Sequence, residues 1–199
     1  RFLESRRPGF ASFLGPPCRG FLPVRGRVPP CEEVAPGIAT NRLTDVALKA
    51  NAVRPGLQVV ERAYGLLEIH SDSQAEVRSA GQSILEHLKL DEADRLRPEI
   101  QSSQVITNVA PDQAQLINRV RFGDMLLGGD TLYILEVQPA AYIALAANEA
   151  LKASPVKLID MQPFGAFGRL YLGGTDSAIR VAVQAATTAL EGLDGKRNS

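Results

Sequence analysis

The second half of the chain carries the clearer pattern of hydrophobic and polar positions. Short runs rich in Val, Ile, Leu and Tyr are typical of strands, and longer stretches with apolar residues three or four positions apart are typical of helices. Strands are predicted at QVITNV, MLL, DTLYILEV, VKLIDMQ and RLYLGG. Two glycines between MLL and DTLYILEV predict that these two strands form a hairpin. PDQAQLINRV, PAAYIALAANEALKA and DSAIRVAVQAATTALEGL predict helices, the last with Thr175 or Asp176 as N-cap.

The same pattern occurs earlier in the chain, displaced by 103 residues. EVAP at 33–36 aligns with EVQP, ALKA at 47–50 with ALKA, and AYGLL at 63–67 with AFGRL. Positions 33–67 give 11 identities in 35 pairs, whereas chance would give roughly two or three. Gly20 and Gly26 also align with Gly123 and Gly129. A repeat this long is a whole domain, so the chain contains two related domains.

The boundary between the two copies is predicted near Pro98. DEADRLRPEI at 91–100 is charged, and its proline disfavours helix before a new strand. The predicted domains are therefore 1–98 and 99–199. Each reads as α+β, with helices packed on an antiparallel or mixed sheet. In the first copy the expected strand VPPCEEV contains two prolines, which predicts an irregular or edge strand.

Composition and charge exclude several classes of protein. The 199 residues are 45% hydrophobic and 22% charged, as in ordinary soluble proteins. Lys and Arg total 22, equal to Asp and Glu, so bulk charge gives no case for nucleic acid or an anionic membrane. Apolar runs are too short for a membrane helix, and RFLESRRPGFASFLG lacks the apolar core of a signal peptide. The expected location is the cytoplasm.

No catalytic or metal-binding template is present in the sequence. Cys18 and Cys31 lie far in sequence from His70 and His87, so we expect free thiols and neither a disulfide framework nor a metal site. GAFGRLYLGG lacks the following helix of a dinucleotide fingerprint, and P-loop, HExxH and GxSxG motifs are missing. The acidic run at 91–94 reads as a solvated linker. We therefore expect no catalysis and no cofactor.

The stretch VVERAYG at 59–65 places an acid and a base between two predicted strands. Neighbouring strand residues point to opposite faces, so Glu61 and Arg62 fit a tight turn before Gly65 better than a half-buried strand. A solvated hairpin tip explains the pair by itself. The aligned residues of the second copy, Phe164 and Gly165, carry no charge, so the fold of this loop does not require the charged pair.

The segment EVQPAAYIALAANEALKASPVKLID resembles the core of bacterial microcompartment shell domains. That family has a short strand ending in Glu, an Ala-rich helix ending in a Lys-Ala pair, a strand and a Gly-bearing pore loop. The resemblance extends over most of positions 10–190 through further stretches: EVAPGIATNRLTDVALKA, QVVERAYGLLEIH, SSQVI, QLINR and GAFGRLYLGG. The order of elements resembles the circularly permuted, tandem-domain, trimer-forming class, which includes the gated-pore trimers of carboxysomes.

The resemblance implies a homotrimer whose six domains form a pseudohexagonal tile of a microcompartment shell, single or stacked face to face with a second trimer. Small metabolites would pass through a central pore closed by Glu61 and Arg62. The implied pore rim consists of Ala63, Tyr64, Phe164, Gly165, Ala166 and Phe167. Lys49 and Lys152 would contact neighbouring hexamers or pentamers at the tile edge, although a cation at a helix C-terminus is also favourable by itself.

A second hypothesis comes from a different functional class. Duplicated α+β domains also suit a small-molecule-sensing regulatory module, with Glu61 and Arg62 in its effector site. The shell hypothesis requires three times the mass of one chain, or a stacked pair of such trimers. A monomer or dimer would favour the sensor.

Overall fold

The computed structural model describes residues 31–197, which form two compact units. The first contains residues 31–97 together with 164–166 and 195–197, and the second contains 98–163 and 167–194. Gly20, Gly26, Cys18 and the N-terminal segment considered as a signal peptide lie outside the described residues. No described helix combines the length and the apolar character that crossing a membrane requires.

The first unit is an antiparallel sheet covered by two helices. In chain order its elements are β1 (Cys31–Val34), α1 (Ala39–Ala50), β2 (Arg54–Val60), β3 (Gly65–His70) and α2 (Gln74–Leu88). Among the described strands the order is β1-β3-β2. Both prolines of the predicted strand VPPCEEV lie outside the described residues, so its irregular or edge character stays a prediction. A short 3₁₀ turn, Glu92–Asp94, follows α2.

The core of the first unit lies between the sheet and the helices. β3 is buried along its whole length, and its Leu67 and Ile69 pack against apolar residues of both helices. Those helix residues recur at intervals of three or four positions, which is why each helix has one apolar stripe: Leu43, Ala47, Val77, Ala80 and Ile84.

The second unit repeats the described part of the first unit and is described from two elements further towards its start. Its elements are β4 (Glu99–Ile106), α3 (Pro111–Asn118), β5 (Thr131–Gln138), α4 (Tyr142–Ala153), β6 (Lys157–Gln162), β7 (Gly168–Gly174) and α5 (Asp176–Glu191). All four strands are antiparallel in the order β4-β5-β7-β6. The predicted α+β class is confirmed.

The internal duplication is visible residue by residue. Helix α1 and strand β2 begin 103 positions before α4 and β6, and β3 begins 103 positions before β7. The irregularity in the β2–β3 register between Pro55 and Leu57 recurs between Leu158 and Asp160. Cis peptide bonds before Pro36 and Pro139 also occupy equivalent positions. The two copies therefore share backbone geometry as well as sequence.

The predicted MLL–DTLYILEV hairpin is wrong. Residues 125–127 form no strand, and β5 pairs instead with β4. The Asn118 side chain donates to the carbonyl oxygen of Leu126 at 2.7 Å and accepts from its amide at 2.9 Å. Leu126 is thereby fixed as an apolar anchor in the core of the second unit, and its backbone needs no strand partner.

Other boundaries shift for local reasons. The strand predicted over 104–109 is β4, which starts at Glu99 directly after Pro98 and stops before Asn108, whose φ is 51°. The helix predicted from Pro139 starts at Tyr142, and α5 ends at Glu191 rather than Leu193. Thr175, rather than Asp176, is the N-cap of α5 because its hydroxyl accepts from the Ala178 amide.

Candidate pore loops

The loop of residues 61–64 is the tip of the β2–β3 hairpin. Val60 pairs with Gly65, and the Glu61 amide donates to the Tyr64 carbonyl oxygen at 3.0 Å. Four residues thus reverse the chain, as the sequence predicts for a turn before Gly65.

The two charged side chains of this loop project into solvent. Glu61, Arg62 and Ala63 are exposed, and Tyr64 is half-buried. Within the described part of the chain, neither Glu61 nor Arg62 takes part in an ion pair. Both charges are therefore exposed and form no ion pair with the described residues.

The loop of residues 163–167 is the corresponding tip of the β6–β7 hairpin. Phe164 and Gly165 are half-buried, whereas Ala166 and Phe167 are exposed. Gly165 has a φ of +96°, a conformation that favours glycine, whereas no residue of the 61–64 loop has a positive φ. The two loops therefore differ in backbone conformation as well as in charge.

The Glu61 carboxylate lies near the backbone of this second loop. Both Glu61 and Gly165 belong to the first compact unit. A Cβ added to Gly165 would have the Glu61 Oε2 atom as its nearest neighbour, at 4.0 Å. The structure thus brings together two of the residues for which the family resemblance implies a place at the pore.

The base of the 61–64 loop rests on Gly37, a residue that sequence reasoning missed. A Cβ at Gly37 would lie 1.9 Å from the Glu61 carbonyl oxygen and 2.5 Å from that of Tyr64. Gly65 in turn packs against the buried Thr40 and the Gly37 carbonyl oxygen. The sequence does contain a sign of its importance, because EVAPG in the first copy ends in glycine where the aligned EVQPA of the second copy ends in alanine.

The two candidate tile-edge lysines end equivalent helices but differ in exposure. The Lys49 side chain is 76% exposed and its Nζ lies 2.8 Å from the Asp45 carboxylate. This contact lowers the pKa of Asp45, chiefly through the hydrogen bond from Lys49. The Lys152 side chain is 32% exposed and pairs with Glu149 at 2.9 Å. An exposed ion pair contributes little to stability, so Lys49 can exchange partners at low cost, whereas the Lys152 pair is half-buried.

Other buried polar groups lie away from the loop tips. His70 Nδ1 lies 3.4 Å from the Glu68 carboxylate within the buried strand β3. Desolvation by burial raises the pKa of Asp160 on β6. No group of three or more His, Cys, Asp or Glu side chains among the described residues is placed to hold a metal ion.

Family models match both halves of the chain. Residues 1–94 match the CsoS1D N-terminal domain, and residues 131–197 match the BMC domain. The chain is 51% identical to the carboxysome shell protein CcmP of Synechococcus elongatus, over 99% of this chain and 92% of that protein. It is 47% identical to the carboxysome shell protein CsoS1D of Hydrogenovibrio crunogenus, over 96% of this chain and 94% of that protein.

Two solved structures share the fold over nearly the whole chain. The fused permuted hexameric shell protein MSM0275 from the RMM microcompartment is 42% identical, with a TM-score of 0.93 over 99% of this chain and 97% of that one. The double ringed trimeric shell protein MSM0271 from the same microcompartment is 38% identical, with a TM-score of 0.93 over 100% and 97%. Together with the full-length relatives, these matches show that the chain belongs to the bacterial microcompartment shell proteins, in their tandem-domain, circularly permuted class.

Proposed function

We propose that three copies of this shell protein form a pseudohexagonal tile whose central pore is gated by Glu61 and Arg62. Each chain contributes two domains, 1–98 and 99–199. The observation that carries the proposal is the contrast between equivalent hairpin tips. One tip presents an exposed acid and base with no ion-pair partner in the described chain, and the other presents only uncharged side chains.

Three-fold symmetry would turn this loop into a ring of charges. Three Glu61 carboxylates and three Arg62 guanidiniums can form directional, charge-assisted hydrogen bonds across the axis. Desolvation of the charges offsets much of the attraction, so the net energy of closure is modest. A closure of modest energy can be reversed by a loop movement or by a ligand that binds one state better.

The uncharged residues would form the passive part of the opening. Small metabolites would pass along a rim made by Ala63, Tyr64, Phe164, Gly165, Ala166 and Phe167. At the outer edge, Lys49 and Lys152 would contact neighbouring hexamers and pentamers. Stacking of two trimers face to face is part of the proposal, since one similar structure is described as double ringed.

The sensing-module hypothesis loses its support. The matched full-length relatives and the two closely similar structures are shell proteins. The resemblance therefore favours a structural role in the shell over effector recognition.

The experiment combines a mass measurement with a double substitution. Native mass spectrometry should give three times the 21.4 kDa chain, or twice that value for stacked trimers. Glu61→Ala with Arg62→Ala should keep this mass and hold the pore open in cryo-electron microscopy. The charge exchange Glu61→Arg with Arg62→Glu is the matched control, because it retains the pairing groups and should retain a closed state.

Two results would contradict the proposal. A monomer or dimer would exclude the tile, and a closed pore in the Ala double variant would exclude Glu61 and Arg62 as the gate.

A further inference from the structure

Gly37 lies directly beneath the 61–64 loop, just before helix α1. A Cβ at this position would be 1.9 Å from the Glu61 carbonyl oxygen, 2.5 Å from the Tyr64 carbonyl oxygen and 2.8 Å from the Tyr64 carbonyl carbon. A Cβ atom essentially never comes within 3.0 Å of a heavy atom from another part of the chain. The loop therefore occupies its described position only because residue 37 has no side chain.

Backbone conformation does not explain the glycine at this position. Among the described glycines, those with positive φ are Gly129 and Gly165. The φ of Gly37 does not lie in this positive region, so its requirement comes from the close approach of the loop.

The second copy of the domain provides an internal comparison. Ala140 is the equivalent of Gly37, and it is fully buried. The contact with the following strand is retained in both copies. A Cβ at Gly65 would lie 2.6 Å from the Gly37 carbonyl oxygen, and a Cβ at Gly168 would lie 2.1 Å from that of Ala140. The second loop accommodates the methyl group that the first loop excludes.

The two loop conformations differ accordingly. The first is closed by the hydrogen bond from the Glu61 amide to the Tyr64 carbonyl oxygen, whose acceptor atom faces Gly37. The second uses a positive φ at Gly165. Gly37 and the 61–64 loop therefore both differ from their counterparts in the second copy, which are Ala140 and the 163–167 loop.

We propose that Gly37 is a positioning residue that selects the conformation of the 61–64 loop. Its hydrogen atom leaves space for the two loop carbonyl groups, so position 37 sets the balance between this conformation and any other that the loop adopts. A methyl group would raise the free energy of the described conformation alone and shift the population away from it. The consequence for permeation rests on the proposed gate.

A double-mutant cycle tests whether residue 37 and the 61–64 loop are energetically coupled in the assembled full-length protein. The cycle compares the unaltered protein, each change alone and both changes together. The first change is Gly37→Ala, and the second replaces the loop with that of the other copy through Glu61→Phe, Arg62→Gly and Tyr64→Phe. Hydrogen exchange at the residue 61 amide reports loop opening, and the unfolding midpoint reports stability. Gly174→Ala is the matched control, because its nearest atom would be 3.7 Å away.

The expected result is strong coupling between residue 37 and the loop sequence. In the native loop, Gly37→Ala should accelerate exchange of the residue 61 amide roughly tenfold or more, as overpacking of a tight contact does. It should also lower the unfolding midpoint. In the exchanged loop the same substitution should change both quantities little. Should Gly37→Ala fail to fold alone, recovery of folding in the exchanged loop would show the same coupling.

The inference is overturned if Gly37→Ala has no effect in the native loop, or has the same effect in both loops, including failure of both proteins to fold. Pore opening is measured separately in the same variants. A coupled loop with an unchanged pore would refute the gate and retain the positioning role. A loop that does not respond would refute the positioning role whatever the pore does.

Discussion

At the scale of single residues, Glu32 illustrates how the two copies have diverged. Glu32 pairs with Leu67, whose side chain belongs to the core between sheet and helices. The aligned residue of the second copy is the fully buried Leu135. Desolvation by burial raises the pKa of Glu32 to about 7. The first copy therefore carries an ionisable group where the second carries an apolar one.

This substitution predicts a pH-dependent stability. The pKa of Glu32 is higher in the folded state than its usual 4.5. The folded chain then binds a proton that the unfolded chain has lost, so the free energy of unfolding should fall as pH rises from 4.5 to about 7. A shift of this size corresponds to roughly 3 kcal/mol.

Chemical denaturation across this pH range should show a weaker dependence for Glu32→Leu, with higher stability at neutral pH. Glu86→Gln, on the exposed side of α2, is the control and should leave the pH profile unchanged. An unaltered profile in Glu32→Leu would exclude Glu32 as its source.

At the scale of elements, the helices depend on local chemistry at their ends. Thr175 caps α5 by accepting from the Ala178 amide at 3.3 Å, and Ser73 caps α2 by accepting from the Glu76 amide at 3.4 Å. Each hydroxyl satisfies a helix amide that has no partner within the helix. These two caps occur before the last helix of each copy.

Thr175→Ala should lower the free energy of unfolding by about 1 kcal/mol, because the helix loses its cap. Denaturant titration measures the change. Gln184→Ala, on the exposed face of the same helix, should have a much smaller effect. Equal losses in the two variants would show that the cap does not contribute specifically.

At the scale of the whole molecule, a tile needs contacts at its edge as well as a closed ring. Lys49 and Lys152 stand at equivalent helix ends, and each pairs with a carboxylate of its own helix. The Lys49 pair is exposed and contributes little to the fold, and the trimer mass of a variant without both lysines separates a loss of folding from a loss of assembly.

Lys49→Ala combined with Lys152→Ala should retain the trimer mass and reduce the formation of extended sheets, because the edge loses its cationic contacts. Negative-stain microscopy measures sheet formation. Arg180→Ala, which also removes an exposed ion pair of a helix, is the control. Sheets as extensive as those of the unaltered protein would exclude the lysines from the edge contact.

Local signals in the sequence predicted much of the fold. Hydrophobic periodicity indicated α4, β6, β7 and α5, and the repeat predicted that the first copy contains the same elements. Hydrophobic periodicity gave a wrong prediction at MLL, where an apolar triplet resembles a strand. The Asn118 side chain, eight residues earlier, satisfies the Leu126 backbone instead. Periodicity reports that a residue is buried without showing which group satisfies its backbone.

The sequence alone determined the duplication, the α+β class and the charge difference between the hairpin tips, because these depend on residue identity and spacing. The tertiary structure decided which strands pair, and it placed Gly37 beneath the Glu61 and Tyr64 carbonyl groups. A glycine before a helix is unremarkable in a sequence, since its significance lies in atoms that fold back over it from 24 residues or more along the chain. Close packing excludes overlapping atoms, and only the folded backbone shows where that exclusion applies.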